Sequence, residues 1–158
     1  MVRCIAVDDE LYAAEIIAGY IRKVPFLELT GVPSNAVEAL GWVQDGKVDL
    51  VFLDIQMPDI TGVQFARIVH GKCRVILTTA YPEYALDGYE HDVVDYLLKP
   101  VPFDRFLRAV QKVQAMSNLL APTPLSHFEE KPDKEYFFIK GETKNKFLKI
   151  AFNDILYI

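Results

Sequence analysis

The sequence predicts an α/β domain, a doubly wound five-stranded parallel sheet with helices on both faces, followed by a short β-rich C-terminal fragment. Three observations carry this. Short β-branched apolar runs alternate with helical patterns five times between residues 4 and 119, the signature of strand–helix units that pack as a parallel sheet. The central run Leu50-Val51-Phe52-Leu53 is apolar without a break, as a strand covered on both faces must be. After Leu120 the pattern stops and Pro122, Pro124 and Pro132 arrive with a cluster of charges, the composition of a semi-rigid linker.

Each element has its own local reason. Residues 4–7 form the first strand, ended by Asp8-Asp9. Residues 11–24 follow with Leu11, Ala14, Ile17, Ala18 and Ile21 spaced as one helix face, and Pro25 stops them. Residues 27–32 are the second strand. Ser34 or Asn35 caps a helix running to Gln44, with Glu38 placed for a capping box and Gly46 as the stop signal. The third strand, 49–54, is followed by helix 62–69, strand 74–79, a short helix at 84–89, strand 93–98 and helix 103–119. That last helix carries Phe103, Phe106, Leu107, Val110 and Val113 as one stripe. Residues 136–140, 146–150 and 155–158 read as strands of a meander around a polar turn at 141–145. Three such strands hold too little core to fold well alone, and the pattern ends in mid-run, so the second module is expected only as its beginning. The expected division is 1–120, a linker at 121–135, and 136–158.

Composition excludes several classes. With 51% apolar and 25% charged residues, the chain is globular and not disordered. Residues 1–120 hold 11 Lys and Arg against 16 Asp and Glu, whereas residues 121–158 hold 6 of each. The acidic first part is a poor match for nucleic acid and a better one for a divalent cation. Cys4 and Cys73 sit in apolar runs and read as buried thiols of a reducing compartment. No run approaches the roughly 20 apolar residues of a membrane span, and no signal peptide precedes the first strand. A cytoplasmic protein without a membrane partner is expected.

The chemistry is expected at the carboxyl ends of the strands, where doubly wound sheets bind ligands. Asp8 and Asp9 end the first strand, Asp54 the third, Thr79 the fourth, and Lys99 lies just past the fifth. Three converging carboxylates repel one another, and Mg²⁺, a hard cation that keeps some of its waters, relieves that. Asp54 can then attack phosphorus, with the Lys99 ammonium and the Thr79 hydroxyl offsetting charge on the phosphoryl oxygens. Taken singly, an Asp pair after a strand is most often a turn or cap, and Thr79 or Tyr96 merely fills a sheet. The ordered set is what points to a site.

Asp8-Asp9, Asp54 with Met57-Pro58 and Gly62, Thr79-Ala80, and Tyr96 ahead of Lys99-Pro100 together resemble the receiver domain of bacterial two-component response regulators. The resemblance covers about 120 residues, the length of one ordinary domain. It implies a flavodoxin-like fold of strand order 2-1-3-4-5 and phosphoryl transfer from a histidine kinase to Asp54. It also implies Mg²⁺ on Asp9, Asp54 and the backbone carbonyl of Gln56, with Asp8 in the outer shell. Thr79 and Tyr96 resemble a switch pair, and Lys99-Pro100 a cis peptide. Such a domain is a phosphoacceptor that catalyses its own phosphorylation and dephosphorylation, not a turnover enzyme. Phosphorylation is expected to remodel the face made by the fourth helix, fifth strand and fifth helix and to promote self-association. Asp92, Asp95, Arg105 and Arg108 supply that face with charges of both signs.

The tail resembles the opening of a LytTR DNA-binding domain, through Phe138-Ile139-Lys140-Gly141 and Asn153-Asp154-Ile155-Leu156-Tyr157-Ile158. Thr79-Ala80-Tyr81 and Asp95-Tyr96-Leu97-Leu98-Lys99-Pro100 are wording common in receivers of that class. DNA is thus an expected partner through an output module mostly absent from this chain. Lys140, Lys144, Lys146 and Lys149 read more simply as a solvated hairpin. A stand-alone receiver acting through protein contacts is the alternative. A Mg²⁺-dependent phosphatase is a third reading, weakened by Gln56 where a general acid would stand. His70, His91 and His127 lack metal-ligand spacing, Trp42 is expected to pack its helix, and Tyr81, Tyr84 and Tyr89 form an aromatic cluster near the fourth helix.

Overall fold

A computed structural model describes residues 1–86 and 93–120 and the strands Tyr136–Lys140 and Phe147–Ala151. The expectations for 87–92, for the linker 121–135, and for the turn and strand at 141–145 and 155–158 lie outside the described residues. The chain divides into two compact units, Met1–Ala121 and Pro122–Ile158.

In the first unit the strands are β1 (Val2–Val7), β2 (Leu27–Gly31), β3 (Leu50–Asp54), β4 (Arg74–Thr79) and β5 (Asp95–Leu98). The helices are α1 (Leu11–Lys23), α2 (Ala36–Gln44), α3 (Gly62–Ile68), α4 (Pro82–Leu86) and α5 (Phe103–Leu120). All strand pairs are parallel, in the order β2-β1-β3-β4-β5. This is the flavodoxin-like sheet expected from the sequence.

Two apolar layers hold it. Alternate residues of a strand point to opposite faces, so Cys4, Ala6, Leu50, Phe52, Ile76 and Leu97 join α1 and α5 on one side. Ile5, Val7, Val51, Leu53, Val75 and Leu77 join α2 and α3 on the other. Every residue of β3 is buried, which is why its sequence shows no polar alternation. Phe52 stacks on Phe106 with ring centroids 5.1 Å apart. Truncating either ring would cost roughly 3–5 kcal/mol through lost transfer energy and the cavity left behind.

Several local details differ from expectation. Leu11, counted on the apolar face of α1, is the first residue of that helix and is 68% exposed. Asn35 caps α2 by accepting the Glu38 N–H at 2.8 Å, but the Glu38 carboxylate returns to the N–H of Ser34 and not of Asn35. A reciprocal capping box does close α3, between Thr61 and Gln64. Trp42 lies against Gly31, where a Cβ would meet its ring at 2.7 Å; only glycine allows that approach. In the second unit, β6 (Tyr136–Lys140) and β7 (Phe147–Ala151) pair antiparallel. No helix among the described residues is long and apolar enough to cross a membrane.

Candidate functional site

The register of the sheet assembles the site. Val7 is level with Leu53, so the residues that follow them, Asp8 and Asp54, emerge side by side. Asp54 is level with Thr78 and Thr79 with Leu98, which puts Thr79 and Lys99 on the same edge. Asp8, Asp9 and Asp54 each present an oxygen within 4.8 Å of the others. Asp8 and Asp54 are buried and Asp9 is exposed. Hard oxygen donors clustered in this way suit a Mg²⁺ ion bound by a few carboxylates and by water.

Lys99 spans the pair of buried carboxylates. Its Nζ lies 2.6 Å from Asp8 Oδ2 and 3.4 Å from Asp54 Oδ1. Burial pulls the ammonium pKa down, but the hydrogen bond to Asp8 and the charges of Asp54 and Asp8 outweigh this, and the net shift is upward. Asp54 is pushed up by burial and by the charges of Asp8 and Asp9, against the downward pull of Lys99. One lysine shared between two carboxylates does not satisfy the second. Asp8 also accepts the Glu10 N–H at 2.9 Å, which fixes its orientation at the start of α1.

The loop after Asp54 is pinned at both ends. Ile55 N–H donates to Thr78 O at 3.0 Å and its carbonyl accepts from Gly62 N–H at 2.9 Å. A Cβ at Gly62 would sit 2.8 Å from the Asp54 carbonyl oxygen and 2.9 Å from Ile55 Cα, so α3 can start this close to the acidic residue only on glycine. Asp59 adopts φ 69°, a left-handed conformation that aspartate tolerates better than most residues. Gln56 is exposed, and its side chain donates to the Tyr84 hydroxyl at 3.4 Å. Tyr84 in turn meets Tyr81 edge to face, centroids 6.1 Å apart.

Thr79 is buried and its Oγ1 accepts the Tyr81 N–H at 3.0 Å, which ties the hydroxyl to the start of α4. Tyr96 is half-buried, packed against the α2–α3 layer of the core. The Lys99-Pro100 bond is cis, as the resemblance implies. A cavity of about 390 Å³ opens beside Lys99, lined in part by Asp8, Tyr12, Ile16, Pro100 and Val101. Cys4 and Cys73 are free, their thiols pushed up to about 12 by burial.

Two features escaped sequence reading. Tyr20 reaches 81 residues along the chain to donate to Val101 O at 2.8 Å. Asp95 and Arg105, read as charges offered to a partner, pair with each other: Arg105 binds both Asp95 oxygens at 2.8–2.9 Å and also Tyr96 O. Lys112 adds a third cationic contact at 2.8 Å. The apolar spacing of α5 signals its buried face, but not which polar side chain folds back onto β5.

Carboxylates and a lysine gathered at the carboxyl edge of a doubly wound sheet define an α/β protein whose acidic pocket stands where such sheets bind their ligands. The family model of the response regulator receiver domain matches residues 4–111, and the chain belongs to that family. A response regulatory protein of Shewanella oneidensis is 38% identical over 135 residues, covering 80% of this chain and 57% of its own length. The transcriptional regulatory protein BtsR of Escherichia coli is 34% identical over 116 residues, 72% of this chain and 48% of its own. The chain thus spans about half the length of these curated relatives. The response regulatory domain of MrkE from Klebsiella pneumoniae superposes with a TM-score of 0.66 at 29% identity, over 74% of this chain and 98% of that one. The receiver domain of AraT from Geobacillus stearothermophilus gives 0.63 at 25%, over 76% and 98%.

Proposed function

We propose that this receiver accepts a phosphoryl group on Asp54 from a phosphohistidine of a sensor kinase, in the cytoplasm, and thereby governs a C-terminal output that regulates transcription. The observation that carries the phosphoacceptor half is the placing of Asp54 at the end of β3, 3.4 Å from Lys99 and within 4.8 Å of Asp8 and Asp9 oxygens. Mg²⁺ held by Asp9, Asp54 and the Gln56 carbonyl, with Asp8 in the outer shell, would neutralise the carboxylates and the incoming phosphoryl oxygens. Asp54 forms the new O–P bond as the P–N bond to the donor imidazole breaks and the imidazole takes a proton. Lys99 leaves part of its hold on Asp8 to meet a phosphoryl oxygen. The Thr79 hydroxyl exchanges its Tyr81 contact for another, and Tyr96 turns into the space released. Exposed Tyr12, together with Ile16, lines the cavity beside Lys99 and offers an apolar face to the donor protein.

The output reading is supported by the LytTR-like wording of the tail and by the name of the BtsR relative. Self-association through α4, β5 and α5 remains the proposed consequence of phosphorylation, with Asp95 and Arg105 acting as an internal brace and Arg108 still exposed. The test is direct. Incubation with Mg²⁺ and a small phosphodonor is expected to add one phosphoryl group by intact mass, and none to Asp54→Asn. Label on Asp54→Asn overturns the assignment. The coding sequence after position 158 is expected to continue the LytTR module, and a stop codon there removes the DNA-binding half of the proposal.

A further inference from the structure

Lys99 is useful only if its ammonium sits between Asp8 and Asp54, and a lysine head is carried on a flexible four-carbon stem. Its location therefore depends on how the backbone beneath it is held. On one side, Lys99 N–H donates to Thr79 O at 2.7 Å, which continues the β4–β5 pairing. On the other side β5 has ended and Pro100 has no N–H to give. Just beyond it lies the carbonyl of Val101, a residue only 8% exposed. Tyr20 of α1 reaches it, its hydroxyl donating at 2.8 Å.

Tyr20 is itself held in place. Its ring is tilted against Phe103 and Phe106, with centroids at 5.1 and 5.3 Å. The Lys23 ammonium lies 5.9 Å from the Tyr20 ring centroid and 5.4 Å from that of Phe103, within cation–π range. Phe106 stacks on Phe52, two residues before Asp54. The same aromatic stack thus supports the strand bearing the acceptor and the loop bearing its lysine.

We infer that Tyr20 is a positioning residue for phosphoryl capture, which acts through Lys99 by anchoring the Lys99–Val101 segment from α1. This rests on the reading of Asp54 as phosphoacceptor. Without the hydroxyl, the Val101 carbonyl is left in a buried place without its donor, and the loop shifts to find another. The lysine head then spends less time where a phosphoryl oxygen arrives.

The experiment uses the full chain as wild type, Tyr20→Phe, Lys99→Ala and the double variant, each measured well below its own thermal midpoint. Tyr20→Phe keeps the ring and its packing and removes only the oxygen. Three quantities are compared: Mg²⁺ affinity, affinity for the phosphoryl mimic beryllofluoride at saturating Mg²⁺, and the rate of phosphorylation by a small donor. Tyr20→Phe is expected to weaken beryllofluoride and slow phosphorylation by roughly fivefold, the equivalent of one neutral hydrogen bond, with Mg²⁺ affinity unchanged. In the Lys99→Ala background the same substitution is expected to change neither. An unchanged beryllofluoride affinity in the single variant, or the same loss in both backgrounds, overturns the inference. Phosphorylation of Asp54→Asn, or none of the wild type, instead overturns the reading beneath it.

Discussion

Asp54 and Asp95 have side chains equally exposed, at 10%, yet they are pushed in opposite directions. Burial raises the pKa of both. At Asp95, hydrogen bonds from Arg105, Lys112 and the Tyr96 N–H overcome burial and leave the carboxyl below its ordinary range. At Asp54 the cation is shared with Asp8, and burial prevails. A carboxylate that braces a fold is given more donors than it needs. Asp54, proposed to accept a new bond, is left with fewer, and the fold carries that deficit. The number of cations per buried carboxylate therefore separates the two roles better than burial does.

The largest way to break this contrast is Arg105→Leu, which leaves Asp95 with Lys112 as its cation and the Tyr96 N–H as its other donor. Removing one partner of a fully buried pair costs about 3–5 kcal/mol; with Arg105 a third exposed and Lys112 remaining, a loss of about 2 kcal/mol is expected. Urea unfolding at pH 7 measures it. The sign with pH follows from the lowered pKa: the Asp95 contribution is present above the ordinary aspartate range and is lost as pH falls through its folded value. Arg105→Leu is therefore expected to unfold at a higher pH than wild type on acid titration. An unchanged acid midpoint would put the shift of Asp95 elsewhere.

A smaller change sharpens the contrast from the other side by supplying the cation that Asp54 lacks. Mg²⁺ at ten times its dissociation constant is expected to stabilise the chain by about 1.4 kcal/mol. Chelation reverses this, and Asp9→Asn should need far more Mg²⁺ to reach the same gain. Equal response of Asp9→Asn and wild type in thermal unfolding counts against a site at these carboxylates.

The smallest expected effect is that of Asp54→Asn on the metal-free protein. A raised folded pKa means that Asp54 favours the fold fully only below the ordinary aspartate value, and that this contribution is lost as pH rises through the folded value. The neutral amide escapes the loss. Its thermal midpoint at pH 7 is expected to exceed that of wild type by about 3 °C, with the gap closing in acid. A lower midpoint for Asp54→Asn would mean that the attraction to Lys99 outweighs burial after all.

Much of this was legible in the sequence because parallel sheets convert order into position. Uninterrupted apolar runs such as Leu50–Leu53 announce burial on two faces, and residues at or after a strand's end must emerge at its carboxyl edge, so Asp8, Asp54, Thr79 and Lys99 group from sequence order alone. What could not be read has long reach and no period. Tyr20 looks like an ordinary helix-face aromatic, and its bond to Val101 depends on the angle at which α1 crosses the sheet. Arg105 lies two residues past Phe103 on α5, where spacing says only that it faces away from the core; that its fork closes on Asp95, ten residues back at the start of β5, has no sequence period to announce it. Leu11 is spaced as an apolar-face residue yet begins α1 and is exposed, because periodicity gives the face of a helix and not the point along it where buried contacts begin.

Trp42 has a practical consequence. It is the chain's single tryptophan, and its ring rests on Gly31, a residue level with Ile5 and, through it, with Val51. The indole thus sits on the outer flank of the sheet, across β1 from the strand that ends in Asp54. Its emission is expected to report melting of that flank and to stay nearly silent when Mg²⁺ or a phosphoryl group arrives, so unfolding can be followed optically in a channel independent of site occupancy.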